Sequence, residues 1–190
     1  MMSTKLWMRV VIVLEKVRQQ LVANAATIFR VPAKLMPAKI QSMTLLEGLK
    51  LAFKEALEDG DFEFLEGKWL KVSVSDMDLS WFISCDDGQL LVNTEQTEHH
   101  VSFSGSLNDL VLIAGRKEDP DTLFFQRRLS IEGDTELGLE VKNLMDSVDL
   151  DALPKTVRVG LEQLATFVSK GVQTSTELSS NSMRETENAY

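Results

Sequence analysis

The chain has 190 residues, of which 44% are hydrophobic, and a formal net charge of -9. A chain of this length suits one domain with an extension at each end, and it can bury most of its apolar surface without metals or disulfides. Its single cysteine, Cys85, excludes an intrachain disulfide. Its acidic total excludes a general nucleic-acid binder, which needs a basic surface against phosphates.

The charge is unevenly spread. Residues 1–40 carry seven basic side chains and one acidic one, Glu15, so that segment is +6 and the other 150 residues carry -15. A basic, apolar N-terminus is drawn to anionic membrane surfaces. The longest unbroken apolar run there, Val10 to Leu14, has five residues. A secretory core needs about 7–15 and a transmembrane helix about 20.

Residues 4–29 read as an amphipathic helix, with Trp7, Val10, Leu14, Val17, Leu21 and Ile28 at helical spacing and Arg9, Lys16 and Arg18 between them. Two readings stay open: an interfacial helix, with Trp7, Arg9, Val10, Leu14, Lys16 and Arg18 as membrane contacts, or a helix packed on protein. Pro32 and Pro37 predict a hinge over 30–37. A second helix is expected over 38–58, ending at Asp59-Gly60-Asp61. Phe62 to Leu65 is a short strand or an irregular segment.

Alternation then predicts strands. Leu70, Val72 and Val74 face inward on one, and Leu79, Trp81, Ile83 and Cys85 on the next. Asp86-Asp87-Gly88 is a hairpin turn leading to Leu90-Leu91-Val92. Val101 and Phe103 mark a further strand. Ser106 or Asn108 starts a helix carrying Leu107, Leu110, Val111 and Ile113. Asp119-Pro120 is a strong helix start, because Asp caps free N–H groups and Pro fits the first helical position. Leu123, Phe124 and Phe125 follow. Leu129 and Ile131 lie on a late strand, and Gly133-Asp134-Thr135 turns and caps a helix bearing Leu137, Val141, Leu144, Met145 and Val148. A last helix spans about 150–170. The polar stretch 171–190 is expected to be disordered. The order predicts an α+β fold with helices covering one face of a sheet. The domains are then 1–29, a basic amphipathic helix; 30–170, the folded domain; and 171–190, the tail.

Chemistry is sparse. His99 and His100 are adjacent and point to opposite faces of a strand, so they do not share a metal. Cys85 reads as a buried structural thiol. The acidic pairs lie at turns and helix starts, where capping explains them. No catalytic residue, metal or cofactor is expected. What remains is apolar: Trp81, Phe103, Leu110, Leu123, Phe124, Phe125, Leu137, Val141, Leu144 and Met145. They are either a packed core or the lining of a lipid cavity, which look alike in sequence.

The run from Asp119 to Asp146 resembles the closing part of the sterol-carrier-protein-type-2 lipid-binding domain. Leu123-Phe124-Phe125 is followed by Arg127-Arg128-Leu129-Ser130-Ile131, then Gly133-Asp134, then Leu137 to Leu144. Residues 62–70, 116–129 and 131–145 more narrowly resemble a bacterial family of accessory factors for oxygen-independent ubiquinone synthesis. That resemblance implies a five-stranded antiparallel sheet with helices around an apolar tunnel. It implies a non-enzymatic protein that binds a polyprenyl quinone, a quinone precursor or phospholipid and presents the quinone to the hydroxylases UbiU and UbiV. The expected location is cytoplasmic, peripheral to the inner membrane. The alternative is a protein-interaction module that docks through its apolar helix faces, with no internal cavity.

Overall fold

The structure, a computed structural model, describes residues 4–96, 98–147 and 150–187, with side-chain surroundings over 13–172 apart from Ala152. Four helices come first: α1 (Thr4–Ala23), α2 (Ala25–Leu35), α3 (Ala38–Ala52) and α4 (Lys54–Glu58). The strands β1 (Leu70–Val74), β2 (Leu79–Asp86), β3 (Gln89–Asn93) and β4 (Val101–Gly105) follow. Then come α5 (Leu107–Ala114), α6 (Pro120–Phe125), β5 (Leu129–Gly133), α7 (Thr135–Ser147) and α8 (Lys155–Glu187). Single 3-10 turns sit at Glu63–Leu65 and Leu150–Ala152.

The five strands form one sheet in the order β3-β2-β1-β4-β5. Its pairings are antiparallel except for β1 with β4, which run parallel from Leu70 opposite Val101 to Val74 opposite Gly105. The sheet is therefore mixed, not purely antiparallel as the resemblance implied. The cause is the link between Asn93 and Val101, which is too long for a hairpin. It returns β4 to the far side of β1, parallel to it, and brings the His99 ring against Phe82. The hairpin expected at Asp86-Asp87-Gly88 is present. Asp87 and Gly88 take φ of 48° and 70°, the left-handed pair that a two-residue hairpin turn requires.

Register divides the sheet into two faces. Leu70 pairs with Ile83, Cys85 with Leu90 and Phe103 with Ile131, and these belong to the main core. The opposite face carries Lys71, Ser73, Ser80, Ser102, Ser104 and Ser130, with Phe82 buried among them. Helices cover the apolar face. Leu123 of α6, with Leu137, Val141 and Leu144 of α7, enter the same core as the inner strand residues. Fully burying each such side chain contributes about 1.5–3 kcal/mol.

A second layer lies outside this one. α1 and α8 pack on each other and on α5, around Val22, Leu112 and Val168. Close approach needs small residues: a Cβ on Gly171 would lie 2.6 Å from Val22, and one on Gly115 would lie 2.2 Å from the Cβ of Ala165.

Four boundaries differ from the sequence expectation, one of them the helix expected over 38–58, which is α3 and α4 with a break at Phe53. The helix expected over 4–29 is two helices that break at Asn24. The hinge expected over 30–37 is narrower, because α2 runs to Leu35 with Pro32 inside it and the chain turns only at Met36 and Pro37. α2 buries none of its residues, so its lost internal hydrogen bond faces solvent rather than a core. The polar stretch 171–187, expected to be disordered, is helical backbone to Glu187. Ala165 and Val168 anchor α8, and extending an existing helix needs no new nucleus. Residues 188–190 and Val148 lie outside the described residues.

Candidate functional site

Two helix ends shape the region of interest. At the end of α5, Lys117 N–H donates to Leu112 O at 2.8 Å and Arg116 adopts φ 50°. At the end of α6, Arg128 N–H donates to Leu123 O at 2.9 Å and Arg127 adopts φ 60°. These are Schellman closures, with arginine where glycine is the usual residue. The first turns the chain so that the Arg116 guanidinium donates to Asp146 O at 2.9 Å. The second sends Arg128 to the buried Asp109 carboxylate, which Ser106 also reaches. Both starts expected from sequence are present: Asp119 accepts from Thr122 N–H at 3.0 Å, and Asp134 accepts from Leu137 N–H at 3.1 Å.

Between the end of α5 and α3 lies an apolar cavity of about 260 Å³. Leu49, Ala52 and Phe53 form one wall, Leu110 and Ile113 of α5 another. Met145, Leu153 and Leu161 close it. Arg116 stands where this cavity meets a polar recess of about 220 Å³ containing Lys117, Glu118, Asp119 and Asp146. The pair of spaces has the form that an amphiphile needs: a greasy slot beside a charged mouth.

The expected lipid-site residues separate. Leu110 and Met145 line the cavity. Phe103, Leu123, Leu137, Val141 and Leu144 lie in the main core. Trp81 sits across from Val72, with its indole Nε1 buried and without a hydrogen-bond partner. Phe124 and Phe125 meet edge to face at the end of α6, and Phe125 is 81% exposed. Of the expected membrane contacts, Leu14 and Lys16 are exposed, while Arg18 is half-buried and paired with Glu15. The side chains of Trp7, Arg9 and Val10 lie outside the described residues. Sequence reasoning missed Leu153 and Leu161 as lining, although both were visible as apolar positions of the last helix. It also missed Arg116, whose only signal is the end of an apolar helix at Gly115.

Groups suited to catalysis are not gathered here. Among the described residues no three His, Cys, Asp or Glu side chains come together as metal ligands. Cys85 is buried, and desolvation, with Glu66 nearby, raises its thiol pKa above the ordinary value, which disfavours the nucleophilic thiolate. His100 Nδ1 accepts from Trp69 N–H at 3.0 Å and His99 packs on Phe82, so each histidine has a structural role. No helix among the described residues is long and apolar enough to cross a membrane.

Comparison with known proteins gives the family. The model of the SCP-2 sterol transfer family matches residues 46–146. The chain is 49% identical over 172 residues to proteins described as "Ubiquinone biosynthesis accessory factor UbiT" from Escherichia coli strain K12 and from Escherichia coli O6:H1, covering 90% of this chain and 98% of each of them. A solved structure described as "UbiJ-SCP2 Ubiquinone synthesis protein" superposes with a TM-score of 0.47 at 20% identity, over 57% of this chain and 95% of that one. The chain therefore belongs to the SCP-2 sterol transfer family and, within it, to the UbiT accessory factors.

Proposed function

We propose that this protein is a non-catalytic, lipid-binding accessory factor of ubiquinone biosynthesis. It holds ubiquinone or a polyprenylated precursor and presents it for oxygen-independent hydroxylation, with UbiU and UbiV as the receiving enzymes. The observation that carries this reading is the apolar cavity beside the Arg116 recess. A prenyl chain needs only an apolar slot, since each buried CH2 contributes about 0.8 kcal/mol. The recess, where Arg116 and Lys117 face Glu118, Asp119 and Asp146, suits a polar head without net charge, such as a quinone ring. At about 260 Å³ the slot is below the roughly 300–1,000 Å³ of ordinary ligand pockets. A long prenyl chain therefore requires α3 to move outward and extend the slot into a tunnel. The protein works in the cytoplasm, peripheral to the inner membrane, with its basic N-terminal side toward anionic lipid.

The test is lipid extraction of the purified protein followed by mass spectrometry. A co-purifying prenyl quinone, precursor or phospholipid is the expected result, and the absence of all three overturns the reading. A second reading, an interaction module without ligand, is favoured by the exposed apolar side chains of α1 to α3, such as Leu14, Phe29 and Leu35. The same extraction separates the two readings, because a docking module carries no lipid.

A further inference from the structure

α2 and α3 meet at a sharp elbow. The chain leaves α2 at Met36, which has extended backbone (φ -71°, ψ 128°), and Pro37 starts α3. Ile28, Val31, Leu35, Met36, Ile40 and Met43 are all exposed around this elbow, Leu35 at 78%. Neither helix buries a single residue. An apolar surface of this kind marks a binding site.

Charge identifies the occupant. Ile28, Val31 and Leu35 share one face of α2, and Arg30 and Lys34 lie about 110° around the helix from it. Lys39 follows on α3 and is exposed. This is the arrangement of an interfacial helix, with apolar side chains at the acyl boundary and cations at headgroup level. The acidic remainder of the chain repels an anionic bilayer, so the N-terminal side is the one that docks.

In this structure those cations have an internal partner. Lys34 Nζ lies 2.7 Å and Arg30 3.5 Å from the carboxylate of Asp78. Asp78 sits in the β1–β2 turn with φ 56°. One exposed carboxylate thus ties α2 to the sheet. Lipid phosphates offer the same cations the same chemistry.

We infer that the α2–α3 elbow is a docking element for anionic bilayers, and that Asp78 is the counter-ion its cations exchange for lipid phosphate. The inference rests on the peripheral-membrane part of the function proposed above, and names the segment and the switch. It also links membrane to cavity. α3 begins at the elbow and ends at Ala52, with Leu49, Ala52 and Phe53 walling the apolar slot. The helix breaks at Phe53, between α3 and α4.

The test is flotation of the full chain with phosphatidylglycerol-containing vesicles and with pure phosphatidylcholine vesicles. The wild type binds the former, and binding weakens as salt rises. The double variant Leu35→Glu, Met36→Glu loses binding by at least about tenfold, because two charges now face the acyl region. Asp78→Asn keeps the turn, since asparagine accepts the left-handed backbone, and raises binding about threefold or more by freeing Arg30 and Lys34. Three results overturn the inference: no binding by the wild type, equal binding to both vesicle types, or either variant binding as the wild type does. Lipid content of the same preparations keeps the two claims apart. Bound lipid with wild-type flotation by the elbow variants removes the elbow and leaves the carrier. Elbow-dependent flotation with no lipid removes the carrier and leaves the elbow.

Discussion

Arg127 shows how one residue's conformation separates fold from function. It closes α6 in the left-handed region, which costs a non-glycine residue roughly 1–2 kcal/mol. The side chain is exposed, whereas its neighbour Arg128 holds Asp109. Arg127→Gly should therefore stabilise the protein by about 1 kcal/mol, read as a higher denaturation midpoint with an unchanged slope. A lower midpoint would mean that the guanidinium makes a stabilising interaction worth more than the strain. Arg116 holds the same backbone conformation, but its side chain reaches Asp146 O at the cavity mouth. Glycine there would exchange relief of strain for loss of that contact, so no gain is expected. These two arginines were not legible as helix closures in the sequence, because the left-handed closure favours glycine and nothing local marks arginine for it. Asp119 and Asp134 were legible, because each supplies a short acceptor one turn before the N–H it caps.

At the scale of elements, short-range signals survived and long-range ones did not. Strand alternation placed Leu70, Ile83, Val101 and Leu129 inward, where they lie. Parallel pairing of β1 with β4 was not legible, because it depends on where the Asn93-to-Val101 link goes, and side-chain period carries no information on that. The run of α2 through Pro32 was hidden by the usual cost of proline inside a helix, about 3 kcal/mol, which this exposed helix tolerates. The α1–α8 pairing was equally hidden, since it turns on the small size of Gly171. That contact gives a prediction. Gly171→Val recovers part of the roughly 1 kcal/mol helix penalty of glycine, but it drives a side chain into Val22, where even a Cβ would lie 2.6 Å away. Overpacking costs about 1–3 kcal/mol and wins. The expected result is a lower thermal midpoint and faster hydrogen exchange in α1, with the sheet amides still protected. Unchanged exchange in α1 would show that the α1–α8 contact contributes little to holding α1.

Across the whole molecule, one apolar core also walls a cavity: Leu49, Phe53, Leu110, Ile113 and Met145 belong to both, and sequence could not tell them from core residues away from the slot. Leu144 and Leu110 look equivalent as apolar positions on amphipathic helices. Leu144 packs under the sheet, whereas Leu110 borders the slot. The difference lies in tertiary placement: α7 lies on β4 and β5, whereas α5 packs on α8 and gives Ile113 and Leu110 to the edge of the core. Leu144→Trp would therefore overpack the core and lower stability by about 1–3 kcal/mol, with ligand lost only as the fold fails. Ala52→Trp is the sharper variant. Ala52 is a half-buried residue of α3 whose side chain borders the cavity, so a larger group has open volume ahead of it. Denying the ligand room for about two methylenes removes roughly 1.6 kcal/mol of burial, which is more than tenfold in affinity. The expected outcome is a thermal midpoint close to wild type, with co-purifying lipid reduced at least about tenfold per mole of protein. Lipid content equal to wild type would place the ligand outside the α3–α5–α8 slot. A matched fall in lipid and midpoint would mean that the slot is part of the structural core.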